Sequence, residues 1–230
     1  MRDAIASSAY FGVVISIAAY SFGMWLKKKT KLAVCNPLLV AALIIVPVLL
    51  VTNITYDEYM KGAESISYLL TPATVGLAIP LYRQLSLLKE NKAAVFCGIA
   101  AGVAANAVTI LALCLLFRME HVHYVTLLPK SITTAIGMGV SEEAGGIVTL
   151  TVVSIIITGV SGVVMSEGLF KLFKLEEPIA RGLALGNGAH AIGTSKALEL
   201  GEVEGAMSSL AIAVAGLMTV IVVPFIANLI

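Results

Sequence analysis

A lysine and several hydroxyl side chains stand together after a proline in the middle of the chain. Lys130 follows Pro129, and Ser131, Thr133 and Thr134 come soon after it. Proline is favoured in the first turn of a helix, where hydroxyls accept hydrogen bonds from free backbone N–H groups. A helix start beside an ammonium group attracts anions, so the pattern indicates an anion site. The alternative is that Lys130 extends to an aqueous interface while the hydroxyls only cap the helix.

A second polar group lies in a glycine-rich stretch nearer the carboxyl end. Asn187, His190 and Thr194 are spaced among glycines that leave backbone groups accessible. An imidazole titrates near neutral pH, so His190 is a candidate for ligand binding and for proton handling. The alternative is a histidine that only packs and hydrogen-bonds inside the fold. We expect these three residues to approach the same substrate as Lys130 from the opposite segment.

Two adjacent carboxylates, Glu142 and Glu143, close the stretch that begins near Lys130. An ionisable group inside a membrane is costly and usually has a function. Both carboxylates are therefore candidates, with His190, for proton or ion coupling. The alternative places them at the aqueous end of the segment.

Other patterns that could carry chemistry are weak. The stretch from Gly188 to Lys196 resembles a phosphate loop, but Thr194 stands where the lysine must be and no buried strand precedes it. His121 and His123 cannot share a helix face around a metal, and the three isolated cysteines form no site. No nucleophile, base and orienting acid recur at a recognisable spacing. We therefore expect no enzyme activity, no metal and no cofactor.

The composition places these residues in a membrane. Of 230 residues, 59% are hydrophobic and only 13% are charged, and the mean hydropathy is +0.98. Soluble domains carry about 25% charged residues, so this chain lacks the polar surface of a soluble, secreted or disordered protein. The net charge of +1 provides no field that attracts nucleic acid. We expect an integral membrane protein in a lipid bilayer, without a nucleic-acid partner.

Six uncharged runs are long enough to cross about 30 Å of hydrocarbon. Two glycine-rich segments that contain charges, residues 123–143 and 182–204, lie between the last three of these runs. The sequence thus predicts an all-α polytopic fold with about six transmembrane helices and two re-entrant or discontinuous segments. We treat residues 1–230 as one membrane domain, with four spans in 1–117 and two units of broken segment plus span in 118–230. The six runs cover residues 4–26, 33–56, 65–82, 93–117, 144–166 and 205–230.

The charges between the runs predict the orientation. With the amino terminus outside, ten basic residues fall in inside loops and three in outside loops. Inside loops of membrane proteins carry the excess of Lys and Arg, so we expect this arrangement. It requires each glycine-rich segment to enter and leave on the same side, because two full crossings would place Lys171, Lys174 and Arg181 outside.

The two glycine-rich segments resemble each other. The sequence Thr-Ala-Ile-Gly at residues 134–137 recurs 56 residues later as His-Ala-Ile-Gly at 190–193. Each copy precedes a span with a glycine near its middle, Gly159 or Gly216. Under the predicted topology the copies run in opposite directions, which is the inverted repeat of many secondary transporters. Chance similarity between two Gly/Ala-rich stretches is the alternative.

A GxxxG pattern, Gly98 and Gly102, lies within one span. Small residues stabilise helix pairs in lipid because they let two backbones approach closely. The pattern leaves open whether this contact is internal or joins the subunits of a homo-oligomer.

Four short stretches together resemble the LrgB/CidB family. Each is short, but the combination is specific and runs from about residue 36 to the carboxyl terminus. The acidic tails of the two glycine-rich segments, residues 142–143 and 199–204, depart from the family pattern. The four stretches are Asn36-Pro37-Leu38-Leu39, Leu127-Leu128-Pro129-Lys130-Ser131 with Thr133 and Thr134, Ala180-Arg181-Gly182-Leu183-Ala184, and His190-Ala191-Ile192-Gly193-Thr194.

The resemblance implies two different activities. Family members are described as holin- or antiholin-like modulators of murein hydrolase activity and cell lysis, acting with a small LrgA/CidA-type membrane partner. They are also described as carriers of small carboxylates such as pyruvate. The plastidal glycolate/glycerate translocator is similar to a fusion of both partners, with this chain resembling its carboxyl-terminal half. The resemblance further implies the inner (plasma) membrane of a bacterium.

Residues and resemblance together predict a carrier for small monocarboxylates of the pyruvate, glycolate or glycerate type, acting with an LrgA/CidA-like partner. Lys130 and the nearby hydroxyls would hold the carboxylate, with proton coupling as a further expectation. The alternative is a holin- or antiholin-like regulator of lysis that moves no solute. A carrier needs a polar occluded centre, whereas a regulator needs only a face that binds its partner.

Overall fold

The computed structural model describes residues 8, 10–30, 35, 37–69, 72, 75–76 and 78–230. Every regular element in these residues is a helix, which confirms the all-α prediction. The chain divides into two compact units, Met1–Gly76 and Leu77–Ile230. The organisation as one membrane domain stays a prediction. Asn36 of the family-like stretch and the beginnings of the first two predicted spans lie outside the described residues.

The first unit contains three described helices. In α1, the last turn carries three consecutive lysines, at the place where the sequence predicts a basic end to the first span. The hydroxyls of Ser16 on α1 and Tyr59 on α3 lie 2.7 Å apart. Gly12 allows this approach, because a Cβ there would overlap the backbone of Tyr59. The helices are α1 (Phe11–Thr30), α2 (Pro37–Thr52) and α3 (Tyr56–Tyr68).

The predicted span over residues 65–82 does not coincide with one described helix. A capping box formed by Thr55 and Glu58 starts α3 well before this run, and Leu69 ends it. Several residues between 70 and 77 lie outside the described part of the chain, and the next described helix begins at Ala78. The prediction relied on the absence of charged residues from 65 to 82. The helix nevertheless begins at Tyr56, because Thr55 and Glu58 cap its amino-terminal end.

The second unit holds three helices that are long and apolar enough to cross a membrane. Two of them have 25 residues, which gives about 37 Å at 1.5 Å per residue, against about 30 Å of hydrocarbon. With the shorter apolar α2, these helices confirm the polytopic membrane class. The elements of this unit are α4 (Ala78–Arg83), α5 (Leu85–Glu90), α6 (Lys92–Leu116), α7 (His121–Leu127), a 3-10 turn (Leu128–Ser131), α8 (Thr134–Glu143), α9 (Val148–Leu172), α10 (Pro178–Leu200), α11 (Glu202–Ile226) and a final 3-10 turn (Ala227–Leu229).

The first glycine-rich segment folds back on itself. The backbone is extended at Ile132 and Thr133, between the 3-10 turn and α8. At the open end, the N–H of Ile147 donates to Oγ1 of Thr126 at 2.8 Å, so the chain leaves where it entered. We call residues 121–143 the first hairpin. The prediction of a broken segment is confirmed here.

The second glycine-rich segment is also a hairpin, formed by the two halves of α10. The break lies at His190, whose φ of 41° and ψ of −133° are not helical. A Cβ on Gly193 would overlap the carbonyl oxygen of Leu185, although these residues would be about 12 Å apart along a continuous helix. Arg181 and Leu200, near the two ends of α10, line one groove. We call residues 178–200 the second hairpin.

The two hairpins open at opposite ends of this unit. The first opens beside the start of α9, where Oγ1 of Thr151 donates to the carbonyl of Thr126 at 3.0 Å. The second opens beside the end of α9, where Nζ of Lys196 lies 2.6 Å from Oε1 of Glu167. We name these the first end and the second end. The opposed directions predicted for the two copies are therefore present.

Reciprocal contacts relate the two copies. A Cβ on Gly159 of α9 would lie 2.8 Å from Cδ1 of Ile192 in the second hairpin. A Cβ on Gly216 of α11 would lie 2.9 Å from Cδ1 of Ile136 in the first hairpin. Ile136 and Ile192 are the matching residues of the sequence repeat. One glycine of α9 and one of α11 thus each contact the matching isoleucine of one hairpin. This reciprocal contact supports an inverted repeat over chance similarity.

Two apolar clusters pack the hairpins against the spanning helices. Tyr124 and Leu128 of the first hairpin pack with Ile110 of α6, and Leu183 of the second packs with Val95, nearer the start of α6. In lipid, water exclusion does not drive helix association, so close van der Waals packing is the main stabilising contribution.

The opposed hairpins predict which positions share a membrane side. Single cysteines at Lys89 and Lys174 should react with an impermeant maleimide from one side, and cysteines at Glu120 and Glu142 only from the other. The experiment uses a background in which the three native cysteines are serine, in intact cells and in inverted vesicles. Labelling of positions 120 and 174 from the same side would contradict the hairpin topology.

Candidate functional site

A cavity of about 770 Å³ lies between α6, the 3-10 turn of the first hairpin and the first half of α10. Its wall is mostly apolar, with a few polar groups directed from three elements, as is typical of small-molecule sites. The structure brings together three of the predicted site residues here, Lys130, Ser131 and Asn187. The polar lining residues that the sequence did not single out are Asn91, Asn106, Thr109 and Glu177.

A chain of hydrogen bonds fixes the lysine side of the cavity. Nζ of Lys130 donates to Oγ of Ser131 at 3.2 Å. Oγ of Ser131 in turn donates to Oδ1 of Asn106 at 3.0 Å. Nδ2 of Asn106 donates to the carbonyl of Leu128 at 3.0 Å. The amide of Asn106 therefore holds the 3-10 turn on which Lys130 lies, with Pro129 in its first turn.

Lys130 is not paired directly with a carboxylate among the described residues, although Glu177 lines the same cavity. The side chain of Lys130 is half-buried. A cation in a poorly hydrated cavity is stabilised by an anionic partner. The site can therefore receive a small anion, with Ser131 positioned next to the ammonium group.

Asn187 forms the opposite side of the cavity. Its Nδ2 donates to the carbonyl of Ile99 on α6 at 2.9 Å. Gly102 makes room for this amide, because a Cβ there would overlap Nδ2 of Asn187, and Gly98 faces Leu183 of the same hairpin. The GxxxG pattern of α6 therefore packs against the second hairpin of the same chain. The sequence alone does not distinguish this contact from one between subunits.

Ser131 and Asn187 occupy matching positions of the repeat. They are 56 residues apart, both line the cavity, and each is bonded to α6, through Asn106 and Ile99 respectively. The cavity thus lies where the two opposed hairpins meet on one helix. This is the arrangement in which broken helices of secondary transporters bind substrate.

Thr133 and Thr134 lie beyond the cavity. Thr133 precedes α8 in an extended conformation, and its side chain makes no capping hydrogen bond. Both threonines are partly buried, and neither belongs to the cavity lining. The extended backbone at Ile132 and Thr133 separates these threonines from the 3-10 turn that contains Lys130 and Ser131.

His190 and Thr194 form a separate buried cluster. Nε2 of His190 is 2.9 Å from the carbonyl of Ile155, and this carbonyl can only accept, so Nε2 carries the hydrogen. The hydroxyl of Thr194 donates to the carbonyl of His190 at 3.1 Å and lies 2.7 Å from the hydroxyl of Ser208 on α11. His190 and Thr194 are only 3% and 1% exposed. They join the tip of the second hairpin to α9 and α11, outside the cavity lining.

Glu142 and Glu143 lie at the end of α8, at the open end of the first hairpin. Both side chains are exposed, and neither lines the cavity. Their location matches the aqueous end that the sequence analysis gave as the alternative. Among the described residues, no group of three or more His, Cys, Asp and Glu side chains could hold a metal ion.

Asn106 is the residue that sequence reasoning missed. It is a polar amide within an uncharged run of α6, and polar side chains inside a membrane often have a function. That signal is present in the sequence. The hydrogen-bond partners of Asn106 could not be predicted from it, because Ser131 and Leu128 lie more than twenty residues further along the chain.

Asn106 gives a prediction about the first hairpin. Asn106→Leu removes the acceptor of Ser131 and the donor to Leu128, each worth about 1 kcal/mol. We expect the backbone amides of residues 128 and 130–133 to exchange with deuterium about tenfold faster or more. Thr109→Val changes another lining residue, whose side chain makes no hydrogen bond to the described part of the chain, and should leave exchange unchanged. Equal exchange in Asn106→Leu and wild type would show that the amide does not hold the turn.

Comparison with known proteins places the chain in a family. The model of the LrgB-like family matches residues 16–229. The Antiholin-like protein LrgB of Bacillus mycoides (strain KBAB4) is 38% identical over 216 residues, covering 94% of each chain. Proteins of the same name from Bacillus cereus (strain B4264) and Bacillus anthracis (strain CDC 684 / NRRL 3495) are 37% identical with the same coverage. No solved structure matches the chain. The chain therefore belongs to the LrgB-like family, which confirms the resemblance seen in its four motif stretches.

Proposed function

We propose that this protein is an antiholin-like membrane protein that restrains murein hydrolase activity and cell lysis. The observation that carries the proposal is the similarity to proteins named Antiholin-like protein LrgB, which extends over 94% of both chains. Similarity at this level over nearly the full length includes both hairpins and all three long spanning helices. The comparison favours this function over the carrier function that the residues and the family resemblance together predict.

The proposed regulator acts in the inner membrane of a bacterium with a small LrgA/CidA-like partner. Its spanning helices expose apolar side chains to the surroundings, for example Val153 and Ile157 of α9, which are 46% and 61% exposed. Such faces contact lipid or another membrane helix. The amino terminus outside, given by the charge distribution, is part of the same proposal.

Murein hydrolase activity tests this proposal. The gene is expressed in bacterial cells with and without an LrgA-like partner, and hydrolase activity of cell extracts and culture medium is measured on murein substrate. The expected result is lower activity when the protein is in the membrane. Unchanged activity at verified membrane levels of the protein and its partner would argue against the regulator.

A second candidate function is favoured by the cavity. We infer that a small monocarboxylate of the pyruvate, glycolate or glycerate type binds there, with its carboxylate on Lys130 and Ser131. Asn187 would approach from the opposite hairpin. In this candidate His190, Glu142 and Glu143 remain candidates for proton or ion coupling, and Thr133, Thr134 and Thr194 for substrate contacts in another conformation of the hairpins.

Uptake measurements test the second candidate. Purified protein is reconstituted into liposomes with and without an LrgA-like partner, and entry of labelled pyruvate, glycolate and glycerate is followed at several pH values. Uptake above that of empty liposomes would support carriage. Lys130→Gln in the same liposomes separates uptake through the cavity from leakage, because leakage does not need the lysine.

A further inference from the structure

A second concave site lies at the second end, apart from the cavity. It is a groove of about 370 Å³ at the open base of the second hairpin, where α9 ends and α10 begins. Three basic residues line it: Lys171 at the end of α9, Lys174 after this helix, and Arg181 near the start of α10. The lining residues are Glu167, Phe170, Lys171, Lys174, Glu176, Arg181 and Leu200.

Arg181 is held in place at the groove. Its Nε donates to the carbonyl of Leu175 at 2.7 Å, and its guanidinium carbon lies 5.8 Å from the centre of the Phe170 ring. The two terminal nitrogens make no hydrogen bond or ion pair within the described chain. A guanidinium fixed in this way offers its remaining donors to a phosphate group without further loss of side-chain freedom.

Lys174 occupies a backbone position that usually belongs to glycine. Its φ is 52°, and the N–H of Leu175 donates to the carbonyl of Phe170 at 2.8 Å. This is the left-handed residue that closes the Schellman motif after α9, where glycine is preferred. A lysine there costs about 1 kcal/mol relative to glycine. The side chain of Lys174 lines the groove.

The charges of the groove do not cancel. Glu167 is bonded to Lys196 at 2.6 Å, and Lys196 also lies 3.6 Å from Glu199. Besides this cluster, the groove presents Lys171, Lys174 and Arg181 against a single further carboxylate, Glu176. The groove therefore carries an excess of positive charge.

The groove lies beside the carboxyl-terminal end of the spanning helix α9, where a membrane-spanning helix reaches the lipid headgroups. Lys171 is in the last turn of the spanning helix α9, and the next residues, Leu172 and Phe173, are both 73% exposed. Exposed apolar side chains beside a basic groove contact acyl chains, while the groove faces the interface.

We propose that this groove binds the phosphate of an anionic phospholipid headgroup. Arg181 and the two lysines contact the phosphate, and Leu172 and Phe173 contact the acyl chains. Phe170 and Leu200 supply the apolar part of the groove lining. Basic pockets between membrane helices recognise lipid phosphates in this way. A soluble phosphate could use the same donors, but it would gain nothing from the apolar residues beside the groove. A lipid phosphate bound there would contact both the end of α9 and the open end of the second hairpin.

Lipid titration tests the proposal. Fluorescent phosphatidylglycerol and phosphatidylcholine are titrated into the purified full-length protein in detergent, with inorganic phosphate as competitor. Wild type should bind phosphatidylglycerol more tightly than phosphatidylcholine. The double variant Lys171→Gln/Lys174→Gln should weaken this binding about thirtyfold, at roughly one near-surface charge interaction per lysine. Lys171→Arg/Lys174→Arg should keep the affinity within about threefold, since the charge is retained.

A matched control separates a site from general surface charge. Lys89→Gln/Lys92→Gln removes the same charge at the same end, from residues outside the groove, and should change the affinity by less than about threefold. Three results would overturn the proposal. These are equal binding of both lipids, equal weakening by the control, and inorganic phosphate that competes as effectively as the lipid, which would assign the groove to a soluble anion.

Discussion

Gly193→Ala is expected to lower the free energy of unfolding by about 2 to 3 kcal/mol. The added Cβ would overlap the carbonyl oxygen of Leu185 and crowd Cβ of Ala189, so the two arms of the second hairpin must separate. The gain in helix propensity, about 1 kcal/mol, does not offset this overlap. For a chain of this size the midpoint of thermal unfolding should fall by about 5 to 10 °C, measured on the purified protein in detergent.

Gly188→Ala is the matched control for this prediction. It lies on the same hairpin, and a Cβ there meets no atom within 4 Å. Its midpoint should equal that of wild type or be slightly higher, because alanine favours helix. If Gly193→Ala were as stable as Gly188→Ala, the two arms of α10 would not pack as the structure shows.

Under the second candidate function, in which the cavity binds a small monocarboxylate, Lys130→Gln is expected to weaken binding of pyruvate about ten- to a hundredfold. A charge-assisted hydrogen bond contributes about 1.5 to 3 kcal/mol, and glutamine keeps a polar group without the charge. The variant should fold normally, because Lys130 lies at the edge of a cavity and not in the apolar clusters. The measurement is a calorimetric titration of wild type and variant with pyruvate in the same detergent.

Two further variants control for charge and folding. Lys130→Arg keeps a cation beside Ser131 and should retain much of the affinity. Lys89→Gln removes a charge from an exposed residue outside the cavity and should bind pyruvate as wild type does. Wild-type affinity in a folded Lys130→Gln protein would mean that the lysine only extends to the interface.

The broken segments were predictable because glycine, proline and charge interrupt apolar runs in the sequence. Pro129 begins the turn that carries Lys130, and glycines flank His190 on both sides. The opposed directions of the two hairpins followed from the repeat that includes Ile136 and Ile192 together with the topology predicted by the basic residues. These are local signals, and local backbone chemistry is what a single sequence reveals best.

The composition of the site was less predictable, since it depends on which faces meet after folding. His190 and Thr194 were expected beside Lys130, but the second hairpin directs them to Ile155 and Ser208 instead. Asn187, three residues before His190, faces the cavity. One face of a helical arm lines the cavity while the next lies against other helices, and an apolar sequence without periodicity does not distinguish them.

Lysis timing tests the proposed antiholin-like function most directly. Bacteria carrying an inducible holin are followed by optical density with wild-type protein, with Lys130→Gln, and without either, at matched membrane levels. We expect wild type to delay lysis and Lys130→Gln to delay it equally, because the proposed restraint of lysis depends on the spanning helices and the partner, not on the cavity lysine. Unchanged lysis timing in cells that hold the folded protein and its partner in the membrane would rule out the antiholin-like function. Uptake of pyruvate by liposomes of the same protein would then favour the carrier.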